Sequence, residues 1–267
     1  MSNVLGAFII TLLAGLATGL GSCIAFFVKK SNTKFLSLSL GFSAGVMIYV
    51  SMIEIFQESK MTFVNMLGPK IGTLITVFYF FAGIAFIAII DRFIPDEENP
   101  HEMLMMDDKG QALPKDKKML LRTGMFTALA IVIHNFPEGI STFVAALDSY
   151  SLAIPIAVAI AIHNIPEGIS VSVPIYYATG SRSKAFIYSF LSGISEPLGA
   201  IIGYVILRNF LNDTIMGALL ASVAGIMVYI SIDELLPAAR KYGDNHLSIY
   251  GFIGGMAIMA ISLILFI

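Results

Sequence analysis

The chain has 267 residues, of which 57% are hydrophobic and only 13% charged. A soluble domain carries about 25% charged residues, so this composition excludes an ordinary soluble protein and defines an integral membrane protein. The net charge of −2 offers no footing for nucleic acid, and the single cysteine, Cys23, excludes an intrachain disulfide.

A helix needs about 20 apolar residues to cross the hydrocarbon core. The apolar runs are continuous rather than alternating, which predicts an all-α fold and not a β-barrel. Eight transmembrane helices are predicted at about 4–28, 36–57, 71–90, 122–147, 152–177, 185–208, 214–236 and 247–267, forming one domain over 1–267. The first run has no basic segment before it and reads as a retained span rather than a cleaved signal. Gly15, Gly19 and Gly21 give helix 1 a face for close packing, and glycine-rich faces of this kind would allow a homodimer.

Helix 2 contains Ala44-Gly45-Val46-Met47-Ile48-Tyr49-Val50-Ser51-Met52-Ile53-Glu54. Helix 7 repeats it at an offset of 180 as Ala224 to Glu234, with six of eleven positions identical. The two helices run in opposite senses, so the repeat is inverted: helices 1–3 and 6–8 are related around helices 4 and 5. Inverted repeats with a site near the midplane mark secondary transporters. This symmetry sets Glu54 near the outer surface and Glu234 near the inner one. Between helices 3 and 4, about 91–121, lies the one long polar segment, rich in Asp and Glu but with a single histidine, His101. It reads as a solvated linker.

Helices 4 and 5 carry His134-Asn135-Phe136-Pro137-Glu138-Gly139 and His163-Asn164-Ile165-Pro166-Glu167-Gly168, near copies 29 residues apart. Both lie close to the middle of their spans, where polar groups are costly. Within each copy His and Glu are four apart and Asn and Glu three apart, so the three donors share one side of the helix. Pro137 and Pro166 cannot donate to the preceding turn and are expected to kink their helices and free a carbonyl beside the donors. Helix 6 adds Glu196, also at midplane and also followed by a proline, Pro197.

Three carboxylates at one depth, with no lysine or arginine in the middle of any span, require a divalent cation or protons to neutralise them. Imidazole with carboxylate suits Zn²⁺, Fe²⁺, Mn²⁺ or Co²⁺. The donors outnumber the four that one tetrahedral ion needs, so two adjacent sites sharing Glu138 and Glu167 are expected. A proton relay has less use for the paired His–Glu faces. An intramembrane zinc protease would need H-E-x-x-H, and neither copy has it, so no enzyme is expected. A metal sensor or channel that uses the same donors stays open at this point.

Thirteen of the sixteen lysines and arginines fall in the loops after helices 1, 3, 5 and 7. The positive-inside rule places those loops in the cytoplasm and both termini outside.

The doubled HNxPEG motif, the Ser192–Pro197 stretch and the A-G-x-M-x-x-x-S-x-x-E helix resemble the ZIP (Zrt/Irt-like) metal transporters of bacteria, over essentially the whole chain. The resemblance implies uptake of divalent metal across the cytoplasmic (inner) membrane. Zinc is the default cargo, with iron, manganese and cobalt as further ones, and no cofactor is implied. It implies a binuclear site in which His134, Glu138, His163 and Glu167 hold one ion. Asn135, Asn164 and Glu196 would hold the second, with Glu138 and Glu167 bridging. Two departures stand out. Some relatives have an acid where this chain has Asn164, which makes the second position here less anionic. Many have a histidine-rich loop where this chain has only His101. The implied route runs from Glu54 and Glu58 outside, through the site, and past Asp233 and Glu234 inside.

Overall fold

The computed structural model describes residues 2–27, 32–93, 114–148, 150–207, 212–242 and 245–264. Among them the chain forms eight long helices and no strand: α1 (Ser2–Ser22), α2 (Thr33–Leu67), α3 (Pro69–Phe93), α4 (Pro114–Asp148), α5 (Tyr150–Thr179), α6 (Arg182–Ile202), α7 (Asp213–Lys241) and α8 (Asn245–Ile264). Seven of these are long and apolar enough to cross a membrane, and α5, at 30 residues, is the other. The all-α membrane architecture expected from composition is the one observed.

Local chemistry explains where the helices start and stop. Asn32 and Asn212 cap α2 and α7 by accepting from the amides of Phe35 and Ile215, and Ser181 caps α6 through Lys184. Gly68 and Gly180, at φ of 81° and 70°, end α2 and α5 in a conformation that side chains resist.

Three helices outrun their predicted spans by five residues or more. α2 continues for 35 residues to Leu67, not to 57, α4 begins at Pro114, not 122, and α7 continues to Lys241, not to 236. Hydropathy marks where apolar character ends, whereas a helix continues as long as its hydrogen bonds and propensity allow. As a result, Glu54 lies 13 residues before the end of α2, about 20 Å of helix, and not at its tip. The polar segment between α3 and α4 shrinks to 94–113, and His101 lies outside the described residues. The helices also stay helical through Pro137, Pro166 and Pro197.

The internal repeat extends from sequence into geometry. Ser51–Ile55 of α2 and Ser231–Leu235 of α7, again 180 apart, both widen into a π-helical turn. In each the serine hydroxyl donates to the carbonyl four residues back, Met47 and Met227. The crossings repeat as well. A Cβ on Gly45 would overlap the Phe252 carbonyl and one on Gly225 the Phe80 carbonyl; Gly255 meets Phe42 and Gly83 meets Ser222 in the same way. Thus α2 packs on α8 as α7 packs on α3.

A second set of crossings relates the remaining four helices. Gly168 of α5 meets the Thr18 carbonyl of α1, and Gly139 of α4 meets the Glu196 carbonyl of α6. Gly21 meets Ile165, and Gly199 meets Phe136. At an offset of 178, α1 aligns with α6, with Gly15 on Gly193, Thr18 on Glu196 and Gly21 on Gly199. The pseudo-symmetry therefore also exchanges α4 with α5. The chain sorts into two helix groups, α1/α4/α5/α6 and α2/α3/α7/α8, and the close-packing face expected of Gly15, Gly19 and Gly21 is the one by which α1 meets α5 and α6.

Candidate metal centre

Glycine crossings bring α4, α5 and α6 close enough for short polar side chains to meet. His134, 3% exposed, directs Nε2 to 3.5 Å from Glu138 Oε2 and 3.8 Å from Glu167 Oε1. The i,i+4 spacing on α4 supplies the first contact, and the antiparallel approach of α5 supplies the second. One imidazole thus lies within 4 Å of two carboxylates drawn from two helices.

Beside them, Asn164 and Glu196 are both fully buried. The Asn164 amide donates to Glu196 Oε2 at 2.9 Å and to the Ala14 carbonyl of α1 at 3.0 Å. Asn135, the matching residue of the first motif, is also fully buried, yet neither its amide nitrogen nor its oxygen has a hydrogen-bond partner among the described residues. A buried amide left in that state costs about 1–3 kcal/mol, which marks the position as one prepared for a further group. His163 lies in α5, but its side chain is outside the described residues. Of the seven sequence-nominated donors, the structure joins His134, Glu138 and Glu167 in one cluster and Asn164 with Glu196 in another. It buries Asn135 next to His134.

Glu58 lies nearer this centre than sequence alone places it. Glu58, one turn beyond Glu54 on α2, lies within electrostatic reach of both Glu54 and Glu138. The π-helical turn at Ser51–Ile55 re-aims this stretch, a device common at functional sites.

At another point of the bundle, Glu234 of α7 is tied down. Its Oε1 lies 3.4 Å from Nε of Arg122, and its Oε2 accepts from the Thr123 hydroxyl at 3.2 Å. Arg122 also pairs with Asp91 of α3, whose other oxygen accepts from Tyr229. Oxygens of Asp91, Asp233 and Glu234 all lie within 4.8 Å of one another. Sequence reasoning placed Asp91 in the polar linker and missed this pairing, which only the fold brings together. An arginine near the start of a long apolar helix was the available signal.

An all-helical membrane protein with histidine, asparagine and glutamate buried on adjacent helices defines the class as a polytopic membrane protein with a metal-type donor set at its core. The ZIP Zinc transporter profile matches residues 95–263. The chain is 66% identical to zinc transporter ZupT of Clostridium perfringens over 100% of its own length and 98% of that protein's. It is 61% identical to zinc transporter ZupT of Streptococcus mutans (98% and 97% covered) and 60% identical to that of Oceanobacillus iheyensis (99% of each). The chain belongs to the ZIP zinc transporter family.

Proposed function

We propose that this chain carries zinc into the cell across the bacterial cytoplasmic membrane by alternating access through the α4–α5–α6 centre. The observation that carries the reading is His134 set between Glu138 and Glu167, buried and drawn from two helices of a membrane-spanning fold. The names of the relatives support zinc as cargo, and the same donors accommodate Fe²⁺, Mn²⁺ and Co²⁺. His134, Glu138, His163 and Glu167 form one ion position. Asn135, Asn164 and Glu196 form the other, with Glu138 and Glu167 between them. The ion is cargo, so no cofactor and no covalent chemistry enter. Its partners are the divalent cation and the surrounding lipid.

The whole chain, 1–267, acts as one transporter domain. The charge distribution puts the linker between α3 and α4 in the cytoplasm and both termini outside. The two helix groups supply the moving parts: α1/α4/α5/α6 holds every proposed ligand, and α2/α3/α7/α8 forms the frame against which it shifts. Glu54 and Glu58 receive the ion on the outer route. On the inner route Arg122 holds Asp91 and Glu234 together in the form described, so release requires those pairs to part.

Binding needs neutral imidazole and ionised carboxylate, and free imidazole titrates near about 6.5. With equal pH on both sides of the membrane, zinc uptake is expected to fall as pH drops from about 7 to 5. Initial rates of ⁶⁵Zn uptake across that range check this, and a flat profile would argue against histidine ligands.

A further inference from the structure

Three of the buried threonines in these helices return their hydroxyl to the backbone one turn back. Thr11 donates to Ala7, Thr76 to Gly72 and Thr127 to Thr123. Thr142 of α4, fully buried, does not, and nor does Thr18 of α1, also fully buried, whose Oγ1 has no hydrogen-bond partner among the described residues. The carbonyl it would use, Ala14, accepts instead from Asn164 of the metal centre.

Thr18 also occupies a distinctive place in the pseudo-symmetry. The exchange that maps α5 onto α4 and α6 onto α1 maps Asn164 onto Asn135 and Glu196 onto Thr18. Asn164 is satisfied by Glu196 and by the Ala14 carbonyl. The counterpart of that carbonyl is Ser192, and it accepts from the Ser195 hydroxyl, whereas the residue equivalent to Ser195 in α1 is Ala17. By this symmetry the half-site that belongs to Asn135 has a hydroxyl in place of the carboxylate, and its backbone acceptor is already engaged. Both members of that half-site, Thr18 and Asn135, are fully buried with polar atoms unmatched. A buried hydroxyl and a buried amide without partners are the groups that a bound water satisfies.

We propose that Thr18 and Asn135 form a polar half-site, pseudo-symmetric to Asn164–Glu196, that takes the transported divalent cation through one of its bound waters. This makes α1 a fourth helix of the metal centre, and it rests on the zinc-carrier reading above. Neutral donors on this side and a carboxylate on the other make the two halves unequal, so the ion is held more firmly toward Glu196.

Zinc binding to the full-length detergent-purified protein, titrated against a fluorescent zinc chelator, tests the inference. Thr18→Val removes the hydroxyl and keeps the shape. It is expected to weaken zinc binding about tenfold, the effect of one hydrogen bond in a charged assembly, while leaving the thermal midpoint unchanged. Thr18→Ser should bind as the wild type does. Combining Thr18→Val with Asn135→Ala should cost less than the two losses added, because both act on one water. Wild-type affinity in Thr18→Val, or equal loss in Thr18→Val and Thr18→Ser, would overturn the half-site and leave the carrier reading in place. A wild-type protein that binds no zinc would instead overturn the carrier reading itself.

Discussion

Glu167→Ala is expected to abolish zinc uptake while the protein remains folded and inserted. Glu167 is 1% exposed on α5 and is the residue through which that helix reaches His134 of α4. Alanine removes a charged group from the proposed ligand set and leaves Glu138 as its one carboxylate, beside the two histidines, to balance a dication. Loss of one charged partner costs on the order of 3 kcal/mol, about a hundredfold in affinity. The bridging role proposed for this carboxylate would enlarge the loss, since both ions depend on it. Folding should survive, because removing a buried carboxylate also relieves its desolvation. His101→Ala, in the linker between α3 and α4, should retain most uptake and serves as the matched control. Uptake of ⁶⁵Zn into cells, normalised to the amount of transporter in the membrane, separates the outcomes. Wild-type rates in Glu167→Ala would sink the assignment of the site.

The second large effect is steric. Gly139→Ala should destabilise the fold and lose transport together. A Cβ at Gly139 would overlap the carbonyl oxygen of Glu196, and one at Gly168 would overlap that of Thr18. Backbone cannot rotate away as a side-chain tip can, so the helices must separate. Overpacking of this kind costs about 1–3 kcal/mol, and here the separation also opens the distance between α4 and α6 on which the centre depends. Gly254 has nothing within 4 Å of its added Cβ, so Gly254→Ala should behave as the wild type. Thermal midpoints read by fluorescence-detected size exclusion, alongside uptake, make the comparison. A Gly139→Ala protein with both properties unchanged would mean that α4 and α6 are not packed as described.

The doubled motif shows how much of such a centre can be read from sequence. His–Glu and Asn–Glu spacings fix which donors share a helix face, and midplane depth makes them expensive without a cation. That reasoning reached His134, Glu138 and Glu167 without knowledge of any distance. It could not reach pairings that depend on which helix packs on which. That Asn164 spans α1 and α6, or that Arg122 gathers Asp91 and Glu234, follows from glycine crossings whose partners are backbone carbonyls and leave no trace in side-chain identity. The repeat shows the same limit. α2 and α7 share six of eleven residues over the stretch aligned and were legible at once. The equivalence of α1 with α6 rests on glycines and common aliphatic residues, which recur by chance in any membrane helix, and only the matched crossings establish it. Helix ends were misplaced in α2, α4 and α7 because apolar character stops before the helix does.

Zinc accumulation in proteoliposomes is the most direct test of the central claim, comparing the wild type with a His134→Ala/Glu138→Ala double variant and recording the internal pH. The account predicts ⁶⁵Zn accumulation with the wild type alone, and the pH trace then distinguishes passive from proton-coupled movement. Equal accumulation in both proteins would contradict the assigned site. Zinc that binds the wild type but never reaches the lumen would contradict transport.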